Sequence, residues 1–297
     1  MASLDDLKKR IVSVKSTQKI TKAMKMVAAA KLKKAQENAV AARPYSERMR
    51  KILTSLKINL NEDTSQTRSL INIDDQNEKV LLLVCSADRG LCGGFNGSII
   101  RYTKKLAQDI INNGKSVKFI FIGKKASNAL KRNFRNHTLD IFTDIANPTI
   151  NFDTVSKIRD KIIEYFNNGE FDRCELVYTK FNTAISQEVK KTQLIPLEQN
   201  TEITNENPDT KIDILYEFEP SQKEILEKII PQNIAFQIFS ALLESAASEH
   251  GARMTAMDNA TRNADDKIDD LTMFYNRSRQ AVITKELIEI ISGAEAI

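Results

Sequence analysis

The residues best placed to do chemistry lie in one short stretch, Ser86-Ala-Asp-Arg-Gly-Leu-Cys-Gly-Gly-Phe-Asn96. It follows an apolar run that reads as a strand and precedes a run that reads as a helix. A glycine-rich strand-to-helix turn is where nucleotide-binding folds cradle phosphate, because free N–H groups and the helix dipole both favour an anion there. The glycines stand at 90, 93, 94 and 97, so the G-x-G-x-x-G spacing fails. No Gly-Lys-Ser/Thr follows, so the P-loop form fails as well. The simpler reading is a tight turn whose glycines take positive φ.

Other candidate chemistry is thin. Cys85, Cys92 and Cys174 form no CxxC pair and no metal-ligand cluster, and packing is their expected role. The two histidines, His137 and His250, are far apart in sequence and lack metal spacing. Asp265, Asp266, Asp269 and Asp270 cluster on a helical run, which reads as a solvated acidic face ahead of a cation site. Met24, Met26, Met254 and Met257 fit seam packing. No catalytic residue, cofactor or metal is expected.

The elements around these residues have two different periods. From Leu4 to Leu60, apolar residues recur at three- and four-residue steps: Leu4, Leu7, Ile11 and Val14, then Ile20, Met24 and Val27, then Leu32, Ala35, Ala39 and Ala42. Pro44 is the one interruption and marks a kink or a boundary. A helix of this length spans about 80 Å and cannot bury its own seam. Residues 61–78 are polar and read as a connection. Between 79 and 197 strands alternate with helices: strands at Val80–Val84, Val117–Ile122, Thr138–Phe142, Glu175–Phe181 and an edge strand at Val189–Leu197, helices at 97–113, 124–133 and 153–168. Ile212–Phe218 reads as one more short strand.

From 221 to 293 a second long seam runs through Met254, Met257, Ala260 or Thr261, Ala264, Ile268, Leu271, Tyr275, Ser278, Val282, Ile288 and Ile291. Two long amphipathic helices of comparable length, each lacking a partner, are best buried against one another. The expected fold is therefore α/β: a long antiparallel coiled coil of the N- and C-terminal helices plus a Rossmann-like α/β domain with a mostly parallel sheet. The expected domains are 1–60, 79–218 and 219–297.

The net charge of +5 is mild, but its distribution is not. Ten basic side chains lie between Asp5 and Glu37, from Lys8 to Lys34, with only Asp6 as a further acid. Such a stretch faces water or an acidic partner, so a nucleic-acid-binding coiled-coil protein is one reading. Against it, no aromatic or base-reading pattern accompanies the charges. A nucleotide-dependent enzyme is another, opposed by the missing phosphate fingerprint. No apolar run approaches the length of about 20 residues that crosses a bilayer.

Three long motifs add a specific resemblance. Ile11 through Leu32, with Lys19-Ile-Thr-Lys-Ala-Met-Lys-Met-Val-Ala-Ala-Ala-Lys at its centre, resembles the N-terminal signature of the gamma subunits of F-type ATP synthases. Asp88-Arg-Gly-Leu-Cys-Gly-Gly-Phe-Asn96 resembles the family's middle motif. Ser248 to Asn263 and Asn276 to Ala294 resemble its C-terminal signature. The matches run in order over nearly the whole chain.

The resemblance implies a central rotating shaft that couples proton flow through the membrane sector to ATP synthesis or hydrolysis. It implies a non-catalytic subunit, present in single copy. The implied partners are the alpha and beta subunits of the catalytic hexamer, the epsilon subunit and the c-subunit ring, with no nucleic acid and no cofactor. The implied partner-binding residues are Met24 and Lys25, facing an acidic lever segment of the beta subunits, and Arg279, Gln280 and Thr284, gripping their catch loop. Ala294 to Ile297 would sit in an apolar bearing. The cysteine pair of the chloroplast forms has no counterpart, so thiol regulation is not expected. No presequence precedes the first motif, which points to a bacterial chain at the cytoplasmic face of the inner membrane, as a peripheral protein.

Overall fold

The computed structural model describes residues 3–58, 79–146, 149–197 and 222–295. The polar connection at 61–78 and the strand expected at Ile212–Phe218 lie outside them. The elements are α1 (Leu4–Ile58), β1 (Lys79–Cys85), α2 (Phe95–Asn112), β2 (Ser116–Ile122), α3 (Lys124–Phe134), β3 (Thr138–Phe142), α4 (Phe152–Asn167), β4 (Arg173–Phe181), β5 (Gln187–Ile195) and α5 (Gln222–Glu295). Contacts divide the chain into two compact units, Lys31–Ala252 and the pair Met1–Ala30 with Arg253–Ile297. Among the described residues no helix is long and apolar enough to cross a membrane.

The first of these units is built on one five-stranded sheet in the order β3-β2-β1-β4-β5. β1, β2, β3 and β4 are parallel, and β5 runs antiparallel to β4 at the edge. The unbroken apolar run Val80–Val84 is explained by helices on both faces. Because side chains alternate along a strand, Val80, Leu82 and Val84 join Phe119 and Phe121 against Phe95, Ile99 and Ala107 of α2 and Ala126, Leu130 and Phe134 of α3. Leu81, Leu83 and Cys85 turn the other way, toward Val155, Ile158, Ile162 and Phe166 of α4 and Ile234, Ile238 and Leu242 of α5. β5 stops at Ile195, two residues short of the expected end, because Pro196 has no N–H to give to a ladder.

The second unit is a helix pair. Gln18 bonds Asp265, Thr21 bonds Thr261 and Lys25 bonds Asp258. As numbers rise on α1 they fall on α5, so the two segments are antiparallel. The buried positions are Leu7, Thr21 and Ala28 on α1 and Met257 and Ala264 on α5. Ile11, Val14, Ile268, Leu271, Tyr275 and Ser278 are half-buried along the same line.

This seam corrects the expected one in three places. Ile20 and Val27 were expected to face the partner but are each 57% exposed. The 3-4 step that starts at Leu7 passes through 11, 14, 18, 21, 25 and 28, which puts Thr21 and Ala28 inside and their larger neighbours outside. Val282, Ile288 and Ile291 are exposed too. At the register of the three polar pairs Leu4 lies opposite residue 279, so α1 has nothing to place against residues 280–295, about 24 Å of helix. Finally, Pro44 ends nothing: α1 runs through it, at an exposed position where the unpaired carbonyl can meet water.

Candidate functional site

The glycine-rich turn resolves first. Its start is spent on α3, the helix that follows β2. Lys124 N donates to Asp88 Oδ1 at 3.1 Å, Lys125 N to the Ala87 carbonyl at 3.1 Å, and Ala126 N to Ser86 Oγ at 3.1 Å. Asp88 Oδ2 accepts from Asp144 N at 3.0 Å. Asn96 closes the turn from the other side, accepting from Ala87 N through Oδ1 and placing Nδ2 3.1 Å from Cys92 Sγ. The first N–H groups of α3 are thus satisfied by residues 86–88, while α2, the helix that the turn itself opens, starts at Gly94 without a side-chain cap. The turn reading holds, with one correction: of its four glycines only Gly93 has positive φ, at 55°, while Leu91 carries φ 63° and is exposed.

A glycine outside that motif is indispensable to it. Gly123 ends β2 with φ 99°, and a Cβ there would stand 2.1 Å from the Ser86 carbonyl oxygen. Only a residue without a side chain lets β1 and β2 end this close together.

Several other titratable groups serve packing or ion pairs. Burial pushes the Cys85 thiol up to about 12 and raises that of Cys174, so neither is a nucleophile at neutral pH. Glu175 is buried on the α2 face of the sheet, clamped by Arg173 Nη2 at 2.6 Å and Lys191 Nζ at 3.3 Å. Lys124 and Asp144 are hydrogen-bonded at the surface, which holds the carboxyl below and the ammonium above their ordinary values. His137 Nδ1 lies 2.9 Å from the Val117 carbonyl. Asp265, Asp266, Asp269 and Asp270 are exposed. No group of three or more metal-ligating side chains exists among the described residues.

The five residues singled out for partner contact all lie on the helix pair. Met24 is half-buried. Lys25 lies beside the seam, with Nζ 2.5 Å from Asp258 Oδ1, and Asp258 Oδ2 also accepts from Arg262 Nη2 at 2.9 Å. Arg279, Gln280 and Thr284 are exposed at the start of the unpaired end of α5, where Thr284 Oγ1 donates to the Gln280 carbonyl. By the register, Met24 and Arg279 lie well over ten residues apart along the pair, so they form two patches. Of the ten basic side chains of the N-terminal stretch, all but Lys25 are exposed. Beyond Thr284, Leu287, Ile288, Ile290 and Ile291 are all more than half exposed.

Sequence reading missed the Lys25–Asp258–Arg262 cluster and the clamped Glu175. The first carries a signal, since Asp258 and Arg262 are four apart on one helix face. The second carries none without strand pairing.

The chain thus comprises two units of different class, a long antiparallel helix pair and a doubly wound α/β unit. A family model described as ATP synthase matches residues 3–297. The ATP synthase gamma chains of Paramagnetospirillum magneticum and Pelagibacter ubique are each 50% identical over 297 residues, with both chains fully covered. The central stalk and c-ring structure of Tetrahymena thermophila mitochondrial ATP synthase contains a chain that matches with a TM-score of 0.60 at 26% identity, over 81% of this chain and 99% of that one. A chain of the Euglena gracilis enzyme has the same fold, with a TM-score of 0.67 at 21% identity, over 99% and 94%. The chain belongs to the ATP synthase gamma chain family, and its role is that of the rotating shaft of the stalk, within a membrane-associated complex. Nothing in these likenesses favours nucleic-acid binding.

Proposed function

We propose that this chain turns as a single copy inside a ring of three alpha and three beta subunits, that its α/β unit binds the epsilon subunit and the c-subunit ring, and that it performs no catalysis itself. Proton flow turns the ring and the shaft at the cytoplasmic face of the bacterial inner membrane. Each orientation of an asymmetric shaft stabilises a different conformation of each beta subunit, so rotation and nucleotide state are coupled through differential contact. The observation that carries this reading is the unpaired end of α5. It offers Arg279, Gln280 and Thr284 as polar grips and an apolar stretch beyond them, on a helix that its own chain leaves bare. Such a surface suits a partner that holds polar residues firmly and lets an apolar tip turn with few directional bonds.

Met24 and the basic face of α1 provide the second contact, toward an acidic segment of the beta subunits. Met24→Lys would add a like charge beside Lys25 and loosen coupling. The test is reconstitution with matched alpha and beta subunits. We expect one copy of this chain to enter a three-plus-three ring with steady ATP hydrolysis. Arg279→Ala with Gln280→Ala should lower that hydrolysis at least tenfold while the ring still assembles. After addition of the membrane sector, Met24→Lys should pump fewer protons per ATP than the parent chain. A complex that hydrolyses ATP equally well without this chain, or that excludes it, would refute the proposal.

A further inference from the structure

The sheet order places a crevice at the carboxyl ends of β1 and β2, beside the point where the strand order reverses. Folds of this kind hold their ligands there. Here α5 closes the space: Ser245 and Glu249 line one wall, Ser86 and Asp88 the other, with Phe95 and Ile150 as apolar cover. About 40 Å³ remains. That is ample for one water, which needs about 10–15 Å³, and far too small for a nucleotide.

One wall residue stands out. Ser245 is 6% exposed and its hydroxyl has no hydrogen-bond partner among the described residues. A serine inside a helix ordinarily bonds the carbonyl four residues back, which is Ala241, or points to solvent. Ser245 does neither, although buried hydroxyls are nearly always bonded. Asp88 has acceptor capacity to spare. Asp88 accepts one N–H at each oxygen, and a carboxylate has about four acceptor sites. Ser86 Oγ accepts from Ala126 N and donates to the Ile122 carbonyl at 3.3 Å.

We infer that the crevice is a binding site for one ordered water, which accepts a hydrogen bond from Ser245 and donates to the carboxylates of Asp88 and Glu249. Water matches this set: it is both acceptor and donor, and about three bonds hold a buried one. A cation matches it less well. The N-terminal end of α3 carries positive partial charge and abuts Asp88 through Lys124 N. The water joins α5 to the turn that caps α3, so the crevice becomes a joint between the helix and the sheet.

The test is the structure of the full chain in its complex at about 2 Å or better. Solvent density is expected within about 2.7–3.2 Å of Ser245 Oγ and of a carboxylate oxygen of each of Asp88 and Glu249. Ser245→Thr keeps the hydroxyl and should keep the density; Ser245→Val should lose it while the fold is retained. Ser245 Oγ bonded to the Ala241 carbonyl with no solvent nearby would overturn the inference, as would density that persists unchanged in Ser245→Val. Anomalous signal at the site after soaking with rubidium would replace the water by a cation and also overturn it.

Discussion

The two compact units bury different kinds of residue. In the α/β unit Phe119, Phe121, Phe166, Phe171 and Leu81 to Leu83 are fully buried, and the sheet is covered on both faces. Among the described residues of the helix pair, only Leu7 on α1 and Met257 on α5 are large buried apolar residues; the other buried positions are Thr21, Ala28 and Ala264. Three polar contacts cross the pair within one stretch of eight residues, from Gln18 to Lys25. One unit is stabilised by transfer of large side chains out of water, worth about 1.5–3 kcal/mol for each fully buried one. The other gains little that way, and leaves Val12, Ile20, Met26 and Val27 in solvent. A domain that stands alone needs the first kind of interior. A helix pair that works against partners can keep its larger apolar residues for them.

If that contrast is right, single substitutions in the α/β unit should cost much more than those in the pair. The largest effect is expected at Gly123. An added Cβ meets the Ser86 carbonyl at 2.1 Å and the backbone holds φ at 99°, so Gly123→Ala should destabilise by about 4 kcal/mol or more, with β1 and β2 forced apart. Urea unfolding monitored by the loss of protected amides in β1 and β2 would show it. Next comes Glu175→Ala, which leaves Arg173 and Lys191 without the carboxylate that joins them. Because Arg173 and Lys191 keep 33% and 43% of their side-chain exposure and can turn to water, the cost should be about 2–3 kcal/mol, that of the lost charged hydrogen bonds, and the same unfolding experiment reads it. Leu7→Ala, at the best-buried apolar position of α1, should cost about 2 kcal/mol, at the low end for a core leucine because the helix pair can close around the gap. A loss above that of Glu175→Ala would erase the proposed contrast.

The contrast also explains what could be read in advance. The α/β unit was legible because local signals agreed. Val80–Val84 could only be a strand covered on both faces, and Asn113-Gly114 and Asn168-Gly169 stop α2 and α4 where positive φ is needed. Every described strand fell within two residues of its expected ends. The helix pair was legible in kind but not in phase. A seam of Ala, Thr and Ser has no size contrast with its flanks, so Ile20 and Val27 drew the reading one residue off line. Where α5 would outrun α1 could not be known before the register was fixed. The glycine-rich turn misled for another reason: its polar groups answer α3, some forty residues on, and a local motif cannot reveal that. Of the partner-contact residues, Arg279, Gln280 and Thr284 could be named only by likeness, since nothing in their spacing marks them.

Smaller effects sharpen the comparison inside the pair. Thr261 Oγ1 lies 2.8 Å from Thr21 Oγ1 and also bonds the Met257 carbonyl at 2.7 Å. Thr21→Val leaves Thr261 one bond and should cost about 1 kcal/mol. Changing both threonines to valine should cost no more than changing one, because two apolar groups of the same shape replace a bonded pair. A double-mutant cycle gives the coupling directly, expected at about 0.5–1 kcal/mol. Two independent losses that simply add would mean that the hydroxyls do not act together.

The smallest effect concerns charge. Asp258 is held below its ordinary value of 3.8, first by its hydrogen bond from Lys25 and then by the nearby charge of Arg262. A depressed carboxyl contributes stability above its unfolded value and loses it as pH falls through the folded one. The contribution should therefore be complete at neutral pH and disappear only below about pH 4. Lys25→Gln should move the Asp258 titration, followed by carboxyl carbon resonance, back toward the ordinary value, and should flatten the acid limb of the thermal unfolding of the pair. Because both groups are partly in water, added salt should weaken the shift in the parent chain more than in the variant, which keeps only Arg262 beside Asp258. The same substitution separates two uses of one side chain. Should Lys25→Gln impair rotary coupling at neutral pH by more than Asp258→Asn does, Lys25 acts on the partner; equal losses would show that it acts only by fastening α1 to α5.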